Sequence, residues 1–165
     1  MYNTTMYKTT MYKTTMYINS RGGSILQRCP DKMGAELYQQ EVLKEVKSFI
    51  CSTSMGRATT AHAFFMQDGA KPHTAASTLK WLCDNDVKLL PDWPAQSPDL
   101  NPVETCWTFI TWQLIGRCFP NKDSIWEAVC EAWAKVPADV IKGLYENMWK
   151  RTQAVREARG GNTKY

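Results

Sequence analysis

The fold is decided by residues 64–107, which read FFMQDGAKPHTAASTLKWLCDNDVKLLPDWPAQSPDLNPVETCW. Asp68 lies two residues after the apolar run 61–66, which has the length and aromatic content of a buried strand. An acid at the carboxyl end of a strand points into the crevice where ligands of α/β sheets bind. This stretch therefore predicts an α/β fold with Asp68 at one edge of the sheet.

Glu104 is predicted to lie in the first turn of a helix. Asn101 supplies an N-cap and Pro102 a first helical position, after a loop in which prolines exclude regular structure. Two hard oxygen ligands, one ending a strand and one opening a helix, suit Mg²⁺ or Mn²⁺. The structural alternative stays open, because an Asn followed three residues later by Glu is also a capping box and a strand-end Asp often forms a turn.

Two motifs resemble the catalytic region of the Tc/mariner superfamily of DDE transposases. They are QDGAKPHTA at 67–75 and WPAQSPDLNPVE at 93–104, followed by Trp107. The resemblance covers about residues 22–165, including the C-terminal KRTQAVREARGGNTKY, and implies a ribonuclease-H-like fold. It also implies that Asp68 and Glu104 are the second and third catalytic acids and metal ligands, with 35 residues between them.

The resemblance further implies chemistry in which two metal ions, Mg²⁺ or Mn²⁺, clamp a scissile phosphate between three carboxylates. In the family the first Asp lies on the first strand, and here a pentapeptide repeat without any acid occupies that place. Asp31 is the only upstream candidate, and it is not expected to substitute, because catalytic groups need placement within about 0.5 Å. The expected fold is an incomplete one: a mixed sheet lacking its first strands, flanked by helices, with a helical C-terminal part.

Two functions follow from the resemblance. The first is a transposase catalytic domain, truncated at its N-terminus, that performs DNA transposition and integration but is inactive alone. The second is a non-catalytic DNA-binding or regulatory remnant that associates with a full-length transposase. The expected partners are DNA at transposon ends and a second copy or a full-length transposase. We expect an intracellular protein, because no signal peptide or membrane-length apolar run is present. The resemblance implies a nuclear location.

Composition and charge bear on three questions: the domain size, the chance of a zinc site and the location of phosphate contacts. The 165 residues suffice for one globular domain. The six cysteines are scattered without a CxxC pair and only two histidines are present, which argues against a Cys/His zinc site. The net charge of +4 can be assigned to the first 33 residues. The candidate phosphate contacts are therefore local ones, namely His73, Lys150, Arg151, Arg156 and Arg159. For the basic residues the alternative is a solvated face, and for His73 it is capping or packing.

The order of elements predicts a sheet covered by helices. Residues 1–21, which contain the repeat MYNTT, MYKTT, MYKTT, MYINS, are expected to be disordered or in part an edge strand, and residues 22–165 to form the domain. We expect strands at 24–28, 61–66 and 87–90, with a right-handed parallel crossover between the last two. We expect a helix after Gly34, a loop at 51–61 and a helix at 74–83. Three more helices should begin near Pro102, Asp123 and Pro137.

Overall fold

The structure of this chain, a computed structural model, describes residues 3–9, 14–30, 32–53, 63–94, 97–159 and 161–165. The strands are β1 Asn3–Thr9, β2 Thr14–Asn19, β3 Ser24–Arg28 and β4 Ala63–Met66. The helices are α1 Ala35–Leu37, α2 Lys44–Thr53, α3 Lys71–Thr74, α4 Ala76–Asp84, α5 Pro102–Leu114, α6 Lys122–Ala134, α7 Ala138–Glu146 and α8 Met148–Ala158. A π-helical segment, Tyr38–Leu43, joins α1 to α2, and a 3₁₀ turn, Pro98–Leu100, precedes α5.

The four strands form one mixed sheet in the order β3-β2-β1-β4. β1 pairs antiparallel with β2, and β2 pairs antiparallel with β3. β1 pairs parallel with β4, with Met6 opposite Met66. The predicted α/β class and mixed sheet are therefore confirmed.

The predicted disorder of the repeat is wrong for its described residues, which form the two inner strands of the sheet. The sheet thus contains strands that were expected to be missing, and they are not edge strands. Met16, Tyr17 and Ile18 are all 0% exposed, so β2 is buried on both faces. A strand covered on both faces needs no alternation of polar and apolar residues, and a five-residue period is compatible with it. Tyr and Thr also favour extended backbone.

Each face of the sheet carries its own hydrophobic core. Met16, Ile18 and Met66 pack with residues of α5, α6 and α7 on one face. Tyr17 and Phe65 pack on the other face with residues of the 38–50 helical segment and α4. The separation follows the two-residue period of the strands, in which neighbours point to opposite faces. Within the helical segment expected after Gly34, Tyr38, Val42, Val46 and Phe49 all belong to the second core.

Several predicted boundaries change in the structure. The strand expected at 87–90 is reduced to a single parallel bridge between Phe65 and Leu89. The helix expected to begin near Pro137 is followed by a separate helix, because the backbone leaves helical geometry at Asn147 (φ −91°, ψ 6°). The Asn147 side chain there donates to the carbonyl oxygen of Gly143. The loop expected at 51–61 begins later, since α2 continues to Thr53. Residues 54–62 and Asp31 lie outside the described residues.

No helix in the described part of the chain combines the length and the apolar character that a membrane span needs.

The turn between β2 and β3 contacts α7 through Gly22. Its φ is +84°, and a Cβ added there would lie 2.7 Å from the carbonyl oxygen of Ala138. We therefore expect Gly22→Ala to lower the free energy of unfolding by about 1–3 kcal/mol, because both the left-handed backbone and the clash disfavour a side chain. Urea unfolding followed by circular dichroism measures this change.

Gly143→Ala is the matched control for this substitution. Gly143 lies inside α7, and an added Cβ would have no atom within 4 Å. Alanine should there raise the free energy of unfolding by about 0.5–1 kcal/mol, because it restricts the unfolded chain. A Gly22→Ala variant as stable as the parent would contradict the contact between this turn and α7.

Candidate functional site

Asp68 lies two residues beyond β4, at the carboxyl edge of the sheet. Its Oδ1 accepts a hydrogen bond from the backbone N–H of Ala70 at 3.1 Å and lies 2.6 Å from Nδ1 of His73. The Asp68 side chain is 42% exposed. The carboxylate is therefore fixed by the protein while part of it faces solvent.

His73 is an internal partner of Asp68. Its side chain is 3% exposed, and its ring packs against the ring of Tyr38 with centroids 4.3 Å apart. Gln67 links the two residues, because it accepts from the Tyr38 hydroxyl at 2.7 Å and donates to the carbonyl oxygen of His73 at 3.2 Å. Because the His73 ring is buried, a DNA backbone cannot reach it, and this argues against the predicted phosphate contact. The position fits the alternative in which His73 packs.

Glu104 lies in the first turn of α5, as predicted. Asn101 caps this helix, its Oδ1 accepting from the backbone N–H of Val103 at 3.1 Å, and Pro102 occupies the first turn. The backbone N–H of Glu104 donates to the carbonyl oxygen of Asn101 at 3.1 Å. The positive end of the helix dipole favours a carboxylate here, and also favours anions that approach the same turn.

The segments that carry the two acids share one core. Met66, two residues before Asp68, and Val103, directly before Glu104, belong to the same buried cluster. The carboxyl end of β4 and the first turn of α5 are therefore held against the same face of the sheet. Among the residues that the structure describes, no three His, Cys, Asp or Glu side chains are grouped as a metal site requires.

The strand beside β4 supplies no third acid. β1 pairs in register with β4 up to Met6 and Met66, and the same register continued by two residues would set Lys8 opposite Asp68. A lysine occupies that strand position in the sequence, and residues 1–20 contain no Asp or Glu. The strand that could carry a third carboxylate is therefore present, but it contains no Asp or Glu.

The basic residues of α8 and its C-terminal end separate into two groups. Lys150, Arg156 and Arg159 are exposed, as a phosphate contact requires. Arg151 is 4% exposed and its guanidinium is bonded inside the protein, so the predicted DNA contact is wrong for this residue. Sequence reasoning treated the four alike, because a charge run does not reveal which member the tertiary structure buries.

Trp149 is a surface residue that sequence reasoning missed. It is 63% exposed, and the Lys150 ammonium lies 5.7 Å from the centre of its ring. An open groove of about 920 Å³ runs along α8 beside it, lined by Trp149, Thr152, Gln153, Arg156, Glu157 and Arg159. Two sequence signals could have identified Trp149 as a surface residue. It lies seven residues before Arg156, which places both on one helix face, and it lies outside the apolar stripe formed by Ile141, Leu144 and Met148.

The buried cysteines are neutral thiols. Burial raises the pKa of Cys106 to about 12, and it also raises the pKa of Cys29. Both thiols therefore stay protonated near pH 7.

Comparison with known proteins connects these features to a family. No family model matches the chain. It is 41% identical over 101 residues to the Tc1 transposase of Caenorhabditis elegans, a match that covers 61% of this chain and 37% of that protein. It is 32% identical over 140 residues to the Tcb1 transposase of Caenorhabditis briggsae, covering 85% of this chain and 49% of that protein. The chain thus spans less than half the length of these two relatives.

Solved structures share the fold. The Mos1 transposase catalytic domain, solved with raltegravir and Mn, matches with a TM-score of 0.76 and 19% identity, over 98% of this chain and 84% of that one. A pre-cleavage Mos1 transpososome matches with a TM-score of 0.77 and 17% identity, over 92% and 45% of the two chains. This likeness confirms the ribonuclease-H-like fold. The transposase relatives confirm the predicted resemblance of this chain to the Tc/mariner superfamily of transposases.

Proposed function

We propose that this chain is a transposase catalytic domain that binds DNA and that binds a divalent cation through Asp68 and Glu104. We further propose that it does not cut DNA on its own. One observation carries the proposal. The segments that bear the two acids share a core beside β1, and β1, which pairs with β4 up to Met6 and Met66, contains no acid along its length. Binding is therefore expected without completed catalysis.

The donor chemistry of the two acids fits Mg²⁺ or Mn²⁺, because both ions prefer carboxylate oxygens. The number of carboxylates does not fit a two-ion site, since two dications about 4 Å apart need more negative charge than two acids supply. We therefore assign Asp68 and Glu104 as ligands of a single cation. When bound, that cation would neutralise negative charge on a phosphate oxygen.

The surrounding residues orient the two carboxylates. His73 and the Ala70 amide hold Oδ1 of Asp68, so this carboxylate is restrained before a ligand arrives. Asn101 fixes the start of α5, and the helix dipole places positive potential beside Glu104. That potential also favours the approach of a phosphate.

A second surface would contact the DNA. We assign Lys150, Arg156 and Arg159 to phosphate contacts, and the exposed ring of Trp149 to stacking on a base or sugar. Mos1, the structural neighbour, was solved as a paired-end complex and as a strand transfer complex, which favours transposon ends as the DNA. A nuclear location follows from the same proposal, because DNA would be the substrate.

The second candidate function is a non-catalytic remnant that pairs with a full-length transposase or with a second copy of itself. The absence of an acid from residues 1–20 favours it as much as it favours an inactive enzyme. The two candidates differ in one respect. A carboxylate from a partner would complete the metal site of an inactive catalytic domain, whereas it would not make a non-catalytic remnant cut DNA.

A DNA cleavage and strand-transfer assay tests the proposal. The substrate is a duplex carrying Tc1-like terminal repeats, with Mn²⁺ present. The wild-type chain should bind this duplex and leave it intact, because the third carboxylate is missing. Cleavage that disappears in Glu104→Ala would overturn the proposed inactivity.

DNA binding is checked separately by fluorescence anisotropy across a series of salt concentrations. Arg156→Ala combined with Arg159→Ala should lower the slope of log K against log salt by about two, because each arginine is expected to neutralise one phosphate. Lys135→Ala, an exposed cation at the end of α6, is the matched control and should keep the wild-type slope. An unchanged slope in the double variant would exclude α8 as the DNA-binding surface.

A further inference from the structure

Arg151 is a buried residue of α8, and its guanidinium donates hydrogen bonds to residues before and after Glu104 at the start of α5. Its Nη1 donates to the carbonyl oxygen of Asp99 at 3.0 Å, before the N-cap. Its Nη2 donates to Oγ1 of Thr105 at 2.7 Å, directly after Glu104. One rigid guanidinium therefore connects the 3₁₀ turn before α5 to the first turn of α5.

The C-terminal residues cover this guanidinium. The ring of Tyr165 lies 4.8 Å from Cζ of Arg151, close enough for a cation–π contact. The Thr163 hydroxyl donates to Oδ2 of Asp99 at 3.4 Å and accepts from the backbone N–H of Tyr165 at 3.2 Å. Residues 163–165 are thereby attached to the same turn that Arg151 binds.

Burying this guanidinium carries a desolvation cost. Arg151 is 4% exposed, and burial lowers its pKa because the charged form loses solvation. Its Nε is buried and has no hydrogen-bond partner in the described part of the chain. A buried apolar side chain often stabilises a fold as well as a buried charged one, or better. A buried arginine at this place therefore points to a requirement beyond stability.

We propose that Arg151, covered by Tyr165, is a positioning residue that holds the first turn of α5 so that the Glu104 carboxylate is fixed for cation binding. The inference rests on the proposed function for the role of Glu104. Arg151 itself touches neither cation nor DNA. Its planar fork is what spans Asp99 and Thr105, and lysine, with a single flexible ammonium, does not reproduce that geometry.

The test uses the full chain with Arg151→Met, Arg151→Lys, Tyr165→Ala and Tyr165→Phe. Mn²⁺ affinity is measured by electron paramagnetic resonance of the free ion, at a temperature where every variant is folded. We expect both Arg151 variants to bind Mn²⁺ about tenfold or more weakly, as happens when other supports of metal ligands are removed. Tyr165→Ala should weaken binding less, and Tyr165→Phe should match the wild type because it keeps the ring.

A second readout separates positioning from general stability. Amide hydrogen exchange at residues 103–106 should become faster in Arg151→Met, because the first turn of α5 loses its restraint. Val46→Ala, in the core on the opposite face of the sheet, is the control that lowers stability without touching α5. It should leave both Mn²⁺ affinity and exchange at 103–106 at wild-type values.

The outcomes distinguish the inference from the proposed function. Failure of the wild type to bind Mn²⁺, or binding unaffected by Glu104→Gln, would refute the metal site, and hydrogen exchange would still test the restraint. Wild-type Mn²⁺ affinity in Arg151→Met, in a chain where Glu104→Gln abolishes binding, would overturn the positioning role. Equal effects of Arg151→Met and Val46→Ala would also overturn it.

Discussion

Asp68→Asn should weaken Mn²⁺ binding by more than about 100-fold, because loss of a residue that merely supports a metal ligand already costs about 10–100-fold. Asparagine keeps the shape of the side chain, and its Oδ1 can still accept from the Ala70 amide. The free energy of unfolding should therefore fall by only about 1 kcal/mol. Isothermal titration with Mn²⁺, alongside urea unfolding, measures both quantities on one preparation.

Asp84→Asn is the matched control for this prediction. Asp84 pairs with Lys80 at 2.8 Å on the exposed end of α4, so the substitution removes the same charge away from the site. Mn²⁺ affinity should remain at the wild-type value in this variant, and Glu104→Gln should behave like Asp68→Asn. Equal weakening by Asp68→Asn and Asp84→Asn would mean that Mn²⁺ binds through overall charge and not at a defined site.

Lys8→Asp should produce the opposite result, a gain of at least about tenfold in Mn²⁺ affinity, since the number of charged ligands tunes such affinities over orders of magnitude. The substitution exchanges a positive for a negative group at the β1 position that the β1–β4 register, continued by two residues, would set opposite Asp68. A third carboxylate should also permit Mn²⁺-dependent nicking of a terminal-repeat duplex, which the wild-type chain is expected to lack. Gel analysis of a supercoiled plasmid carrying the repeats detects a single nick.

Tyr7→Asp controls for the added charge alone. Neighbouring positions of a strand belong to opposite faces of the sheet, so a carboxylate introduced at position 7 is not on the face that position 8 serves. This variant should neither nick DNA nor gain Mn²⁺ affinity. If both variants gain affinity equally, or if neither does, β1 does not supply the missing side of the site.

Much of the helical framework could be predicted from local signals. Asn101 and Pro102 announce the start of α5, because an N-cap acceptor and a preset φ act within one turn. The stripe of Val103, Trp107, Ile110 and Leu114 predicted its buried face, and all four are buried. These features depend on neighbours within four residues, which a sequence displays directly.

Features that depend on distant parts of the chain could not be predicted in the same way. The repeat forms strands because β3, β4 and helices on both faces cover it, and no five-residue window contains that information. Arg151 is buried because the turn before α5, 52 residues away, accepts its hydrogen bond. Between Met148 and Arg159 the sequence displays only a basic helix, and packing decides which of its cations face solvent.

Because the repeat units are nearly identical, the register of β2 with its neighbouring strands depends on residues of the last unit that differ from the pattern. Ile18 and Asn19 stand where the preceding unit has Lys13 and Thr14. Ile18 is fully buried, and Oδ1 of Asn19 accepts from the backbone N–H groups of residues 21 and 23 at 2.9 and 3.0 Å. A slip by one unit would bury a lysine and remove this bracing of the turn, so the misaligned sheet is disfavoured. Copying errors that lengthen or shorten the repeat are consequently tolerable only while this last, irregular unit is retained.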